Sequence, residues 1–190
     1  RACSAAEIVI AEGCGDADCE TPDVFTALGY DDLATRTGVR LVDLNNAPLR
    51  RVVDATCECF PELQLPEIAF THYLISVPVL KAHSLAEITG ACKNMMGLLP
   101  PDSYGGHPGS WKKARFHHRL HQSIRDLICH RPPDLSLMDA IVGLASYHLG
   151  GPTCDPPVNR LLAGFDPRAL DRQASGLLKM DWQRIPHLVD

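Results

Sequence analysis

Several familiar signatures are missing from this chain, and each absence removes a class of function. No run of about 18 apolar residues occurs, the length that a membrane-spanning helix requires. The formal net charge is -5 and no basic stripe is visible, so neither a membrane nor a nucleic acid is an expected partner. Neither a G-x-S-x-G nor a Walker sequence is present. There is no C-x-x-C, so the cysteine spacing is not that of a ferredoxin or a zinc ribbon. Internal repeats and low-complexity tracts are also absent.

What remains is a chain of 190 residues, 45% hydrophobic and 22% charged. Those values suit a single domain over residues 1–190 with a sizeable core. Cysteine is abundant: Cys3, Cys14, Cys19, Cys57, Cys59, Cys92, Cys129 and Cys154 are scattered, and only Cys57 and Cys59 are close, as C-x-C. A domain of this size needs no disulfide staples, so reduced thiols and a cytoplasmic location are expected.

Apolar patterning predicts an alternation of strand and helix. Strands are expected at Glu7–Ala11, Val39–Leu44, Tyr73–Leu80, Leu135–Val142 and Leu161–Ala163. Tyr73–Leu80 (YLISVPVL) reads as a strand buried on both faces. Helices are expected at Thr21–Thr37, with Thr21 as N-cap, and at Leu49–Phe60, Leu85–Leu98 and Ala114–Cys129. Ser84 and Glu87 fit a capping box for the third of these. Asp166-Pro167 opens a last helix, to Leu178. The fold class expected is α/β, a mostly parallel sheet with helices on both faces. The Gly- and Pro-rich loop Pro100–Ser110 is expected to be a mobile lid over the site.

In open α/β sheets, ligands bind beyond the carboxyl ends of the strands. The apolar run Ser76–Leu80 stops abruptly at Lys81 and His83, which are two apart and so point the same way in a strand. Thr89 and Lys93, four apart, share a face if this segment is helical, with Asn94 and Gly97 nearby. Two ammonium groups, an imidazole, an amide and a hydroxyl form a donor-rich set suited to a carboxylate or phosphate. Asp171, near the apolar face of the last helix, needs a partner, and a lysine at the mouth of the sheet is one candidate. His117 and His121 have the i, i+4 spacing that can ligate one metal ion.

The run VPVLKAHSLAEITGACKNMMGLLP resembles the signature of an uncharacterised family, domain of unknown function 362. GYDDLATRTGVRLVDLN, FHHRLHQSIRDL, LMDAIVGL and LLAGFDPRALDRQASGLL agree with it as well. The resemblance places Lys81, His83, Thr89, Lys93, Asn94 and Gly97, together with His117, His121, Asp139, Asp166 and Asp171, on recurrent polar or glycine positions. It implies an α/β domain, in a family whose relatives often carry an iron–sulfur cluster segment for which this chain has no matching cysteine motif. It also implies that an N-terminal part of the family domain is missing, since the chain starts at Arg1.

The leading expectation is a soluble domain with a cleft for a small anionic molecule, with a possible role in redox metabolism. Lys81, Thr89, Lys93, Asn94 and Gly97 would hold the ligand, and His83 and Asp171 would serve chemistry. One alternative is a metal site at His117 and His121, with Asp171 or His83 as a further ligand; another is an accessory subunit for an electron-transfer partner.

Overall fold

The computed structural model describes residues 7–107 and 109–189; Cys3 lies outside them. β1 (Val9–Glu12) and β2 (Arg40–Asp43) form a parallel pair. The chain between them forms two helices, α1 (Thr21–Ala27) and α2 (Tyr30–Thr37), because it breaks at Gly29, whose φ is 76°. Thr21 is the first helical residue rather than the cap. Its hydroxyl accepts the Cys14 amide at 3.1 Å and the Asn45 amide at 3.3 Å.

The helix expected over Leu49–Phe60 is instead a hairpin, β3 (Leu49–Val53) antiparallel to β4 (Glu62–Pro66). The β-branched Val52-Val53 pair suits a strand, and the Arg51–Glu62 ion pair at 2.6 Å joins the two. The turn between them is held by Asp126, only 1% exposed. Its carboxylate accepts the Cys59 amide at 2.6 Å, the Phe60 amide at 2.9 Å and the Glu58 amide at 3.3 Å.

A short helix, α3 (Ile68–Thr71), leads into β5 (Ile75–Ser76), β6 (Val79–His83) and β7 (Glu87–Thr89). Then come α4 (Ala91–Asn94), running on as a 3-10 turn at Met95–Leu98, and α5 (Pro101–Tyr104). A 3-10 turn at Ala114–His117 precedes α6 (Leu120–His130). β8 (Leu135–Leu144), β9 (Arg160–Gly164) and α7 (Pro167–Leu177) complete the order, with 3-10 turns at Trp182–Arg184 and Pro186–Leu188. The fold is α/β with mixed sheets. The β1–β2, β5–β8 and β6–β8 pairings are parallel; the β3–β4, β6–β7 and β8–β9 pairings are antiparallel.

The expected run Tyr73–Leu80 divides at Val77-Pro78 into β5 and β6, which lie along the same edge of β8. Proline has no N–H to give to a ladder. Alternation sets the faces. Leu80, Ala82, Ile88, Met138 and Ala140 turn inward and are buried with Ile124 and Leu127 of α6 and Leu170 and Ala174 of α7. On the opposite face Ile75, Val79, Leu137, Ile141 and Leu161 are 42% to 65% exposed. Helices therefore cover one face of these strands and not both, and the expectation of a strand buried on both sides is corrected. An unbroken apolar run cannot separate these cases without its neighbours. The loop expected to be a lid is anchored too: Tyr104 is buried edge-on to Phe60 and Phe116, and its hydroxyl accepts the Gln64 amide at 2.7 Å.

Asp126→Ala would leave several amides without an acceptor. Urea unfolding should show a loss of about 2–4 kcal/mol, as expected when buried donors lose their acceptor. A loss under about 0.5 kcal/mol, typical of a surface substitution, would show that Asp126 does not hold this turn.

Candidate functional site

The site is built around the start of α4. Ser84 and Glu87 do not cap a helix: Glu87 has φ 62° and begins β7, whose residues pair back on β6. The helix starts only after Gly90. Its first two amides, from Ala91 and Cys92, donate to the Asp171 carboxylate at 2.6 and 2.9 Å. Asp171 is 0% exposed. Burial pushes its carboxyl up to about 6, against the pull of those two amides. Gly90 is required by contact, since a Cβ there would lie 2.1 Å from Asp171 Oδ1. Asp171 is thus bonded to backbone rather than to a lysine.

This arrangement aims Lys93 toward the end of β6. Lys81 stands opposite Thr89 in the β6–β7 register, so Thr89 is a strand neighbour of Lys81 rather than a helical partner of Lys93. Both lysines are partly buried. Among the described residues, neither has an acidic partner or a hydrogen bond. Burial, and after it the charge of Lys81, bring the Lys93 amine down to about 8.

Three histidines complete the cluster. His83 is buried, and its Nδ1 accepts the Leu85 and Ala86 amides at 3.0 and 3.1 Å. Burial, then Lys93, His148, His117 and Lys81, hold its imidazole down to about 3. At neutral pH His83 is therefore an uncharged ring with its proton on Nε2, not a group that readily exchanges protons. His148 stacks on it with centroids 3.7 Å apart and planes 12° apart, and its buried Nδ1 has no partner among the described residues. Burial and both lysines lower the His148 imidazole as well. His117 donates Nδ1–H to the Lys113 carbonyl at 3.0 Å and is lowered by burial and, more weakly, by Lys93. An open cleft of about 470 Å³ runs from His117 and Leu85 past His118, Arg119, His121 and Arg125.

Two residues of the expected site lie elsewhere, and a third, His121, lines the cleft but is bonded away from the lysines. Asn94 follows Lys93 directly, and neighbours on a helix diverge by about 100°. Its amide donates to Ser76 Oγ at 3.0 Å, and it lines a second cleft, of about 770 Å³, with Gly97, Glu7 and Glu12. The Gly97 carbonyl packs against the turn after β1, where a Cβ on Gly13 would lie 2.1 Å from its oxygen, while a Cβ on Gly97 itself would meet Glu12 Oε1 at 3.3 Å. His121 turns to His187, with Nδ1 atoms 2.8 Å apart. The expected helix Ala114–Cys129 is interrupted at His118-Arg119, so His117 and His121 are not one α-turn apart. The shared metal site they suggested has no helical basis. Among the described residues, no group of three or more His, Cys, Asp or Glu side chains is placed to hold a metal ion.

Two contributors were missed in the sequence. His148 lies in the loop after β8, and its signal was its place beyond a strand's carboxyl end. Lys113 is 4% exposed, and its amine donates to Asn45 Oδ1 and the Leu99 carbonyl, joining the end of β2 to the segment after α4. Burial brings it down to about 8.

The chain matches the domain of unknown function DUF362 over residues 1–175 and belongs to that family. No curated protein matches it. Two of the described cysteines are packed into the interior. Cys57 is a buried thiol pushed up to about 12 by burial, its S–H directed at the Asp126 carbonyl, and Cys92 is a buried thiol raised well above its ordinary value by burial and by Asp171. No described helix is long and apolar enough to cross a membrane.

Asp171→Ala should cost about 2–4 kcal/mol in urea unfolding, because two buried amides lose their acceptor. Gly90→Ala should also destabilise, but clearly less when Asp171 is already alanine. Additive losses in that double-mutant cycle would show that the two do not meet.

Acid should weaken the fold. His83 and His187 are held down to about 3 from an ordinary 6.5, so between those values the unfolded chain binds protons that the folded chain refuses. Stability is full above about 6.5 and falls as pH falls. Asp171, raised to about 6, contributes in the opposite direction below that value, one group against two. Urea midpoints should decline from pH 7 to 5, and His187→Gln should flatten the decline. Midpoints that rise with acid would contradict the buried neutral histidines.

Proposed function

We propose that the cluster at the end of β6 binds a small anionic molecule, a carboxylate or a phosphate. One observation carries this reading: Lys81 and Lys93 lie close enough for the charge of one to depress the other, with no acidic partner among the described residues. Like charges held together in a partly desolvated place are unfavourable unless a counter-charge arrives. The ammonium groups supply the charge, and the neutral rings of His83 and His148 supply neutral polar contacts. Thr89, beside Lys81, offers a hydroxyl. The basic cleft beyond His117 gives room for the rest of the molecule. His83 acts here as an uncharged contact, and Asp171 positions Lys93 from behind. None of the described cysteines is in a disulfide, which suits a reducing compartment.

Thermal-shift titrations with phosphate and small carboxylates should raise the melting temperature of the wild type. Lys81→Ala and Lys93→Ala should each weaken binding by about 1.5–3 kcal/mol, the range for hydrogen bonds to charged groups, while remaining folded. Binding should also take up protons near pH 8, because an anion restores Lys93 to its ammonium form. Calorimetry in buffers of different ionisation enthalpy reads that uptake. No anion-dependent stabilisation of the wild type, or binding by both variants as tight as that of the wild type, would overturn the proposal.

A further inference from the structure

The cleft of about 770 Å³ takes no part in the reading above, and its position is set by strand pairing. Among the described residues β1 pairs only with β2, and β5 only with β8. Val9 and Ala11 line one wall of the cleft, Ile75 and Ser76 the other, and no residue of β2 or β8 lines it. The cleft therefore lies between two open strand edges, where alternate main-chain N–H and C=O groups point away from the paired neighbour.

The two edges run the same way. At one end Glu7 Oε2 is 3.4 Å from His72 Nε2, just before β5. At the other, Glu12 Oε1 is where a Cβ on Gly97 would meet it at 3.3 Å, and Asn94, three residues before Gly97, donates to Ser76 at the end of β5. Buried Leu44, Met95 and Leu98 line the cleft from the core. Ile8, Tyr73 and Ile75, which also line it, are 49% to 65% exposed. Its charge is negative. No lysine or arginine lines it, and Glu12 has no ion pair among the described residues, whereas Glu7 is held by Arg40 at 2.9 Å.

We propose that this cleft receives an extended, basic segment of a partner protein as an added strand. The wall from Glu7 to Glu12 accommodates about six residues of such a strand. Its main-chain groups bond β1 on one edge and β5 on the other, which joins the β1–β2 pair to the larger sheet. Side chains of a strand alternate, so every second one is apolar and rests against Met95 and Leu98. A lysine or arginine at one end reaches the Glu12 carboxylate. The site does not depend on the anion-binding reading.

The test selects a library of random short peptides on the wild-type protein. Enriched peptides are synthesised and read by calorimetry and hydrogen exchange. They should carry apolar residues at alternate positions and at least one lysine or arginine. Their binding should slow exchange in β1 and β5, at Val9–Glu12 and Ile75–Ser76. N-methylation of every second peptide amide should weaken binding at least tenfold, and so should methylation of the other set, because each set faces one strand. Both measurements use wild-type protein, so no variant has to fold. Glu12→Gln should weaken basic peptides about two- to fivefold, the range of an exposed ion pair. A library that yields no binder, protection outside these strands, or full affinity in either methylated set would overturn the proposal. Unchanged affinity in Glu12→Gln would overturn the basic character of the segment. Dimers of the free protein that protect the same strands would give the cleft to a second copy instead.

Discussion

The buried carboxylate of Asp171, accepting the first two amides of α4, is the contact on which the site depends. A carboxylate with no exposure is expensive to bury, and only strong donors in fixed positions make it tolerable. Here they are backbone groups, so the contact fixes the main chain directly. It ties α7 to the point where β7 gives way to α4, and it requires residue 90 to have no side chain. Lys93 sits one helical step beyond the anchored amides, so its direction is set by backbone rather than by its own contacts.

Charge is sorted around this anchor. Bases gather at the end of β6: Lys81 and Lys93, with His83, His117 and His148 around them. Acidic groups lie elsewhere, with Glu7 and Glu12 along the cleft beside β1. Burial, and after it the neighbouring charges, lower the affinity of Lys93, His83, His117 and His148 for protons, so the cluster holds its histidines neutral. A pocket in this condition is short of negative charge, and that shortage is its chemical character.

The part of the site that could be read in the sequence is the part that lies on a strand. Lys81 and His83 end an apolar run, and a period of two places them together without further information. The last helix was legible as well, because Asp166 caps the Arg168 and Ala169 amides as its sequence suggests. The segment between was misread. Ser84 and Glu87 imitate a capping box, and only the pairing of β7 with β6 reveals that Glu87 opens a strand. The turn of the hairpin at 49–66 is held by Asp126, 66 and 67 residues from the amides it accepts, and no local pattern reports such a contact. The break before α6 carries neither glycine nor proline, so the histidines at 117 and 121 read as one turn apart. His148 reaches the cluster only because β8 pairs beside β6, a relation between strands that periodicity cannot express.

α4 is only four residues long, yet it carries Lys93 toward the bases and Asn94 toward the acidic cleft. With its first amides tied to Asp171, this turn cannot swing to suit either side, so the directions of Lys93 and of Asn94, whose amide is 3.0 Å from Ser76 Oγ, are fixed by one and the same anchor.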